Sequence, residues 1–120
     1  MSEKPIDHVL DLELVQNRAQ MDVEFLKLLI SVFNEDAPPL ISGIKEAWDS
    51  GDTETVHAEG HKMKGMCANV GAKKLKEIAL KVESAGVNKN LVEERNLLEL
   101  LEETYQETQE HFQNYLKEFS

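Results

Sequence analysis

Apolar residues recur every three or four positions along most of this chain, which is the spacing of amphipathic helices. The longest apolar stripe comprises Leu26, Ile30, Phe33, Ala37, Leu40, Ile41, Ile44 and Trp48. It follows Asp22, a residue type that caps helix N-termini, and it stops just before Gly51, in the usual position of a C-terminal glycine. Pro38 and Pro39 interrupt the stripe, but the apolar positions stay in phase across them. We therefore predict one long helix with a kink rather than a break.

A glycine turn separates the next two predicted helices. Asp52 is placed to cap the first of them, which runs to about Asn69, and Gly71 permits a tight turn. The second starts at Ala72 and is predicted to close at Gly86. Its apolar stripe comprises Leu75, Ile78, Ala79, Val82 and Ala85.

The last predicted helix carries a seam of apolar positions that would pack against the other helices. Asn90 with Glu93 resembles a capping box before it, and a short helix is also predicted at the start, from Asp11 to Asn17. The seam comprises Leu98, Leu101, Tyr105, Thr108, Phe112, Tyr115 and Phe119. No convincing period-two strand is present. We therefore predict an all-α fold, an antiparallel (up-down) four-helix bundle with a short extra N-terminal helix, in which residues 1–120 form a single domain.

The composition limits the partners that this chain can have. Its 120 residues are 41% hydrophobic and 30% charged with a net charge of -10, which suits a folded domain that repels nucleic acid and anionic lipid. No apolar run is long enough to span a membrane, and the N-terminus lacks the apolar segment of a secretory signal. Cys67 is the single cysteine and forms no internal disulfide. Together these features lead us to expect a cytoplasmic protein without nucleic-acid or membrane partners.

Positive charge is concentrated in one segment of the chain. Residues 60–76 contain five lysines and no acidic residue, whereas the remainder holds 8 basic and 23 acidic residues. Such an island favours docking of an anion or of an acidic pocket. Chance lysines on a solvated helix would give the same pattern, and charge alone slightly favours that simpler interpretation.

A histidine in the middle predicted helix has neighbours that suit phosphoryl chemistry. His61, Lys64 and Gly65 fall on one helical neighbourhood, so an imidazole lies beside a cation and an empty position. His57, His61, Lys64 and Ala68 form a stripe about 110° from the apolar stripe, which predicts that His61 is open to solvent. Much of an unperturbed histidine is unprotonated and nucleophilic near pH 7. The arrangement indicates a histidine that carries a phosphoryl group, with Lys64 stabilising the phosphate oxygens.

Two glycines weaken the helix that contains this histidine. Each costs about 1 kcal/mol relative to alanine within a helix, so a compensating reason for their presence is expected. We interpret Gly60 as allowing a neighbouring helix to approach, and Gly65 as leaving clearance for an incoming active site.

A metal site is a competing interpretation of the histidines. His57 and His61 lie four apart and could ligate a metal from one helix face. The metalloprotease motif His-Glu-x-x-His is not present, because Ala58 follows His57, and neither His8 nor His111 is a confident third ligand. No bound metal or cofactor is therefore expected. The nucleotide-binding motif Gly-x-x-x-x-Gly-Lys is also missing from the sequence.

The pattern resembles the histidine-containing phosphotransfer (HPt) domain of bacterial and related phosphorelays. The family motif is His-x-x-Lys-Gly, followed six residues later by Gly-Ala and then by a Leu. The matching residues are His61, Lys64, Gly65, Gly71, Ala72 and Leu75. The predicted order of helices is similar over most of the chain, and a start at Met1 favours a free-standing protein. Gly60 replaces the common Ala and Met66 replaces a small residue, departures that bear on the choice of partner.

The resemblance implies a phosphocarrier in two-component signalling with no kinase activity of its own. The equivalent of His61 accepts a phosphoryl group from the aspartate of one response-regulator receiver domain and passes it to another. Lys64 stabilises that group, and Gly65 gives room to the receiver. Receiver domains are the implied partners, with a hybrid histidine kinase as a further candidate. Any magnesium belongs to the receivers, and the carrier itself is expected to be a monomer.

The expected docking face surrounds the histidine, with lysines of the following helix at its rim. It comprises His57, Lys62, Lys64, Gly65, Ala68 and Asn69. Glu83 falls where some members of the family have a polar residue near the histidine, and the sequence leaves its role open. The alternative function is a helical adaptor that binds receivers or other proteins through the same face without being phosphorylated.

Overall fold

The computed structural model describes residues 6–119, and over this range the chain is helical without a strand. The helices are α1 (Ile6–Val9), α2 (Leu12–Met21), α3 (Val23–Asp49), α4 (Thr53–Val70), α5 (Lys73–Asn88) and α6 (Asn96–Leu116), followed by a 3₁₀ turn (Lys117–Phe119). The predicted all-α fold with four long helices is confirmed. Two short helices, rather than the one expected, precede them. None of the helices between residues 6 and 119 is long and apolar enough to cross a membrane.

The four long helices surround one hydrophobic core. Along the chain each packs against the next, and α6 also contacts α3. The ring of Phe33 on α3 contacts the rings of Tyr105 and Phe112 on α6, with centroids 5.8 and 6.1 Å apart. Side chains from all four helices are fully buried, among them Leu26, Ile44, Met63, Leu75, Leu101 and Phe112. The bundle therefore holds its helices through apolar burial on one face of each.

Aspartate side chains cap three of the helices. Asp11, Asp22 and Asp52 each accept a hydrogen bond from the backbone N–H three residues later, at 3.1 to 3.2 Å. The caps predicted at Asp22 and Asp52 are confirmed. The helix expected to end at Asn17 continues to Met21, because the residues between them are adequate helix formers and Asp22 ends one helix while capping the next.

The predicted ends of α3 and α4 are also confirmed. α3 continues through Pro38 and Pro39 without a break, and both proline rings lie on its exposed side. Gly51 and Gly71, which follow α3 and α4, have φ angles of 72° and 81°. This left-handed conformation favours glycine, so these residues allow the two sharp turns of the chain.

The prediction that Gly86 closes α5 is wrong. Gly86 lies inside the helix, where a Cβ atom would be 2.6 Å from the backbone nitrogen of His57. The glycine is thus required by the close packing of α5 on α4. The helix ends at Asn88, and Lys89 takes the left-handed conformation with a φ angle of 57°.

The capping box predicted from Asn90 and Glu93 is also wrong. Residues 91–95 form turns, and α6 begins at Asn96 without a side-chain cap. The reason lies in a distant contact. Trp48 Nε1 donates a buried hydrogen bond of 2.7 Å to the carbonyl of Leu91, whose side chain is also buried. This hydrogen bond holds residues 91–95 against the end of α3.

Candidate functional site

His61 projects from α4 into solvent. Its side chain is 68% exposed, which confirms the prediction that the imidazole is accessible. The orientation follows from the apolar residues on the opposite side of the helix, since Val56, Met63, Cys67 and Val70 are buried in the core. Burial of that stripe fixes the rotation of α4 and leaves His61 on its flank.

The carboxylate of Glu83 on α5 joins His61 and Lys64. Its Oε2 lies 3.0 Å from His61 Nδ1, and its Oε1 lies 2.8 Å from Lys64 Nζ. The Lys64 ammonium and, to a lesser extent, the His61 ring hold the pKa of this carboxyl below its ordinary value, against the opposing effect of burial. Glu83 is therefore ionised at neutral pH.

The partner of Nδ1 determines which nitrogen of His61 is nucleophilic. An ionised carboxylate only accepts hydrogen bonds, so Nδ1 carries the proton that it donates to Glu83. In the neutral ring Nε2 then holds the lone pair. Because Nδ1 is directed at Glu83, Nε2 faces away from α5 and toward solvent.

Two glycines bring α4 and α5 close enough for these contacts. A Cβ atom at Gly60 would lie 2.8 Å from the nitrogen and 3.0 Å from the Cα of Glu83. Gly86 makes the reciprocal approach from α5, onto the backbone of His57. The prediction that Gly60 lets a neighbouring helix approach is confirmed. As a consequence the Glu83 side chain reaches His61, the residue after Gly60.

The space beside His61 is open. Apart from the neighbouring residues and backbone of α4 itself, a Cβ atom at Gly65 would have no atom of residues 6–119 within 4 Å, so the predicted clearance is present. Four other residues predicted for this face are exposed on α4: His57, Lys62, Ala68 and Asn69. Lys64 is only 28% exposed, because its side chain reaches back to Glu83.

The lysines of α5 are not all at the rim of this face. Lys73 and Lys76 are exposed at the start of α5. Lys74 instead points to α6, where its Nζ is 2.8 Å from Glu107 Oε1. The rim of lysines expected from the following helix therefore does not include Lys74, because that position lies between α5 and α6.

An apolar strip on α3 was missed by the sequence analysis. Phe25, Leu28 and Val32 are large hydrophobic residues that remain exposed, with Leu28 at 57%. Leu28 and Val32 line a shallow groove of about 160 Å³ between α3 and α4, together with Met66 and Asn69. The signal was available in the sequence, since these three residues are apolar yet out of phase with the buried stripe of α3.

The described residues offer little for metal or thiol chemistry. Between residues 6 and 119 no cluster of three or more His, Cys, Asp or Glu side chains is placed to hold a metal ion. Cys67 is buried, and burial raises the pKa of its thiol to about 12. This thiol is protonated and inert at neutral pH, as its position in the apolar stripe predicts.

Comparison with known proteins identifies the family. The model of the Hpt domain matches residues 28–111, a range that includes His61, Lys64 and Glu83. The chain belongs to the Hpt domain family. Hpt domains are phosphocarriers rather than catalysts, so this Hpt domain is a phosphotransfer carrier of two-component signalling, a process that involves receiver domains and histidine kinases.

Solved structures share the fold of this Hpt domain. Histidine-containing phosphotransfer protein B (HptB) from Pseudomonas aeruginosa PAO1 matches with a TM-score of 0.81 and 21% identity, over 94% of this chain and 97% of that one. The histidine-containing phosphotransfer domain of ArcB from Escherichia coli matches with a TM-score of 0.81 and 19% identity, over 95% and 98%. A search of curated proteins gives no significant match. The similarity to solved structures confirms the helical bundle predicted from the sequence.

Proposed function

We propose that His61 is the phosphoryl-carrying residue of this Hpt domain. It accepts the group from the aspartyl phosphate of one receiver domain and passes it to the aspartate of another. The observation that carries this proposal is the state of the His61 ring, which is exposed and has Nδ1 engaged by the Glu83 carboxylate. The remaining nitrogen, Nε2, is thereby directed at an approaching partner.

The transfer needs little covalent chemistry from the bundle. The lone pair of Nε2 forms a bond to phosphorus as the P–O bond of the acyl phosphate breaks, and the electron pair of that bond leaves with the receiver's carboxylate. The ring keeps its proton on Nδ1 and becomes cationic, a charge that Glu83 stabilises at 3.0 Å. The reverse sequence delivers the group to a second receiver and restores the neutral ring.

The surroundings of His61 support docking of a receiver domain. Lys64 provides the cation for the phosphoryl oxygens, and the open space at Gly65 admits the edge of the receiver's active site. The partner-binding residues on α4 are His57, Lys62, Ala68 and Asn69. We extend this face onto α3, where Leu28 and Val32 supply the exposed apolar area that a protein interface needs.

In this scheme residues 1–120 act as one phosphotransfer domain and as a monomer. The receiver supplies the acidic pocket and any magnesium ion in it. The exposed lysines of residues 60–76, Lys62, Lys73 and Lys76, attract that pocket, while the rest of the acidic chain disfavours other orientations of approach. Opposite charges at the contact raise the rate of encounter more than the final affinity.

A labelling experiment tests the assignment of His61. After incubation with a phosphorylated receiver domain, the wild type is expected to acquire phosphate that is labile in acid and stable in alkali. His61→Gln should acquire none, whereas His111→Gln, on α6 and outside the docking face, should label like the wild type. Unchanged labelling of His61→Gln would exclude His61 as the acceptor. A wild type that binds the receiver without labelling would support the adaptor function instead.

A further inference from the structure

Lys64 is engaged by Glu83 in the unphosphorylated protein. Its Nζ is 2.8 Å from Oε1 of Glu83, while Oε2 of the same carboxylate is 3.0 Å from Nδ1 of His61. The ammonium is therefore on the Glu83 side of the ring, beside the nitrogen that keeps its proton. Nε2 is the other ring nitrogen, so a phosphoryl group bound there would be a second anion for the same lysine.

The contact that holds Lys64 is one that can be exchanged. Lys64 Nζ and the buried Oε1 of Glu83 form an ion pair at 2.8 Å. The Lys64 side chain is still 28% exposed, although that of Glu83 is only 14% exposed, so water reaches the ammonium and keeps this pair weaker than a fully buried one. The lysine side chain has four flexible carbons, which allow Nζ to swing to a new anion.

We propose that Glu83 and the phosphoryl group compete for Lys64. Before phosphorylation Glu83 holds the lysine; after it, Lys64 moves to the phosphoryl oxygens while Glu83 keeps the proton-bearing Nδ1. The inference rests on the proposed role of His61. Its consequence is that Lys64 stabilises the phosphorylated state less than it would without Glu83, because the lysine must break its contact with Glu83 to reach the phosphoryl group.

The balance of charge makes this exchange feasible. When Nε2 bonds to phosphorus, the His61 ring becomes cationic at the same time as Lys64 departs. Glu83 therefore loses one positive neighbour and gains another at 3.0 Å, so the carboxylate is never left without a cation. The phosphoryl group on His61 is therefore stabilised by Lys64 and can still be transferred to a receiver, because Lys64 returns to Glu83 when the group leaves.

The equilibrium of His61 with a small phosphodonor measures this competition without a receiver. The probe is potassium phosphoramidate at fixed concentrations of donor and ammonium, with the ratio of phosphorylated to free His61 read by ³¹P NMR. The variants are the wild type, Lys64→Ala, Glu83→Gln and the double variant. Glutamine retains an oxygen that accepts from Nδ1 but carries no charge to hold Lys64.

Competition predicts that Lys64→Ala lowers the phosphorylated-to-free ratio more strongly in the Glu83→Gln background than in the wild type. The difference should be about two- to five-fold, the range expected for a moderate ion pair. A retained Nδ1–H signal in ¹⁵N NMR shows that Glu83→Gln has kept the ring in place. Lys64→Met serves as the second removal of the cation should Lys64→Ala unfold.

Two outcomes would overturn the competition. If Lys64→Ala lowered the phosphorylated-to-free ratio equally in the wild-type and Glu83→Gln backgrounds, Glu83 and Lys64 would act independently. A smaller penalty in the Glu83→Gln background would show that Glu83 positions Lys64 for the phosphate instead of withholding it. Failure of the proposed function looks different, since the wild type would then give no phosphohistidine signal, or His61→Gln would still give one.

Discussion

Gly60 and Glu83 are in backbone contact across the α4–α5 interface. A Cβ atom at Gly60 would lie 2.8 Å from the amide nitrogen of Glu83, closer than any ordinary packing distance. This contact places the carboxylate of Glu83 beside His61, the next residue of α4. A glycine that weakens the helix is thus the condition for the hydrogen bond that orients the imidazole.

Gly60→Ala should therefore destabilise the protein although alanine is the better helix former. The propensity gain of about 1 kcal/mol is opposed by a clash with backbone, and overpacking of this kind costs about 1–3 kcal/mol. We expect a net loss of about 1 kcal/mol in the free energy of unfolding. Urea denaturation at neutral pH measures it.

Gly65→Ala is the matched control on the same helix. Beyond the adjacent residues and backbone of α4, no atom of residues 6–119 lies within 4 Å of the added methyl group, so only helix propensity acts. Its free energy of unfolding should rise by up to about 1 kcal/mol. If the two alanine variants proved equally stable, the close approach of α5 at Gly60 would not be the reason for glycine there.

Local patterns were sufficient to predict most of the bundle. The caps at Asp22 and Asp52 and the turns at Gly51 and Gly71 depend on neighbouring residues, and each was found from the sequence. The exposure of His61 also followed, because the phase of a buried stripe fixes the opposite face of the same helix.

What the sequence could not predict depends on residues far apart in the chain. Glu83 is 22 residues from His61, so its contact with the ring depends on the register of two packed helices. From the sequence alone Gly86 is placed like a C-terminal helix glycine, and only the structure shows that it is needed where α5 packs closely on α4. The turns that begin at Leu91 are set by Trp48, which is 43 residues away.

The tautomer of His61 is a direct consequence of the Glu83 contact. In its neutral form we expect the His61 ring to carry its proton on Nδ1, whereas His57, exposed on the same helix, serves as the internal reference. Long-range ¹H–¹⁵N NMR distinguishes the two tautomers. Glu83→Ala should abolish the preference at His61 and leave the His57 signals unchanged. A preference for Nε2–H in the wild type would contradict the hydrogen bond.

Glu83 should also make the free energy of unfolding depend on pH in the acidic range. Lys64 chiefly, and His61 to a lesser extent, hold the pKa of Glu83 below its ordinary value in the folded state. The stabilisation is therefore present above the ordinary glutamate pKa of about 4.3 and is lost as pH falls through the lower folded value. Between about pH 5 and pH 3, the free energy of unfolding should fall more steeply for the wild type than for Glu83→Gln.

Glu77→Gln provides the comparison for this acid dependence. Glu77 is exposed on α5, so removing its charge should leave the steepness of the decline as in the wild type. Denaturant titrations at several pH values give both slopes. Identical slopes for the wild type and Glu83→Gln would mean that the ion pair with Lys64 does not stabilise the fold.

The apolar strip on α3 should determine how well a receiver docks. Leu28→Asp places a charge in the groove beside Met66, and loss of one well-placed apolar contact should lower kcat/KM for transfer from a phosphorylated receiver about tenfold. Labelling by phosphoramidate should not change, because that donor needs no docking surface.

Val92→Asp is the control, since Val92 is 88% exposed between α5 and α6. Both are surface substitutions, so stability should stay within about 0.5 kcal/mol of the wild type. Equal rates of receiver transfer for the two variants would place the docking surface elsewhere than on α3.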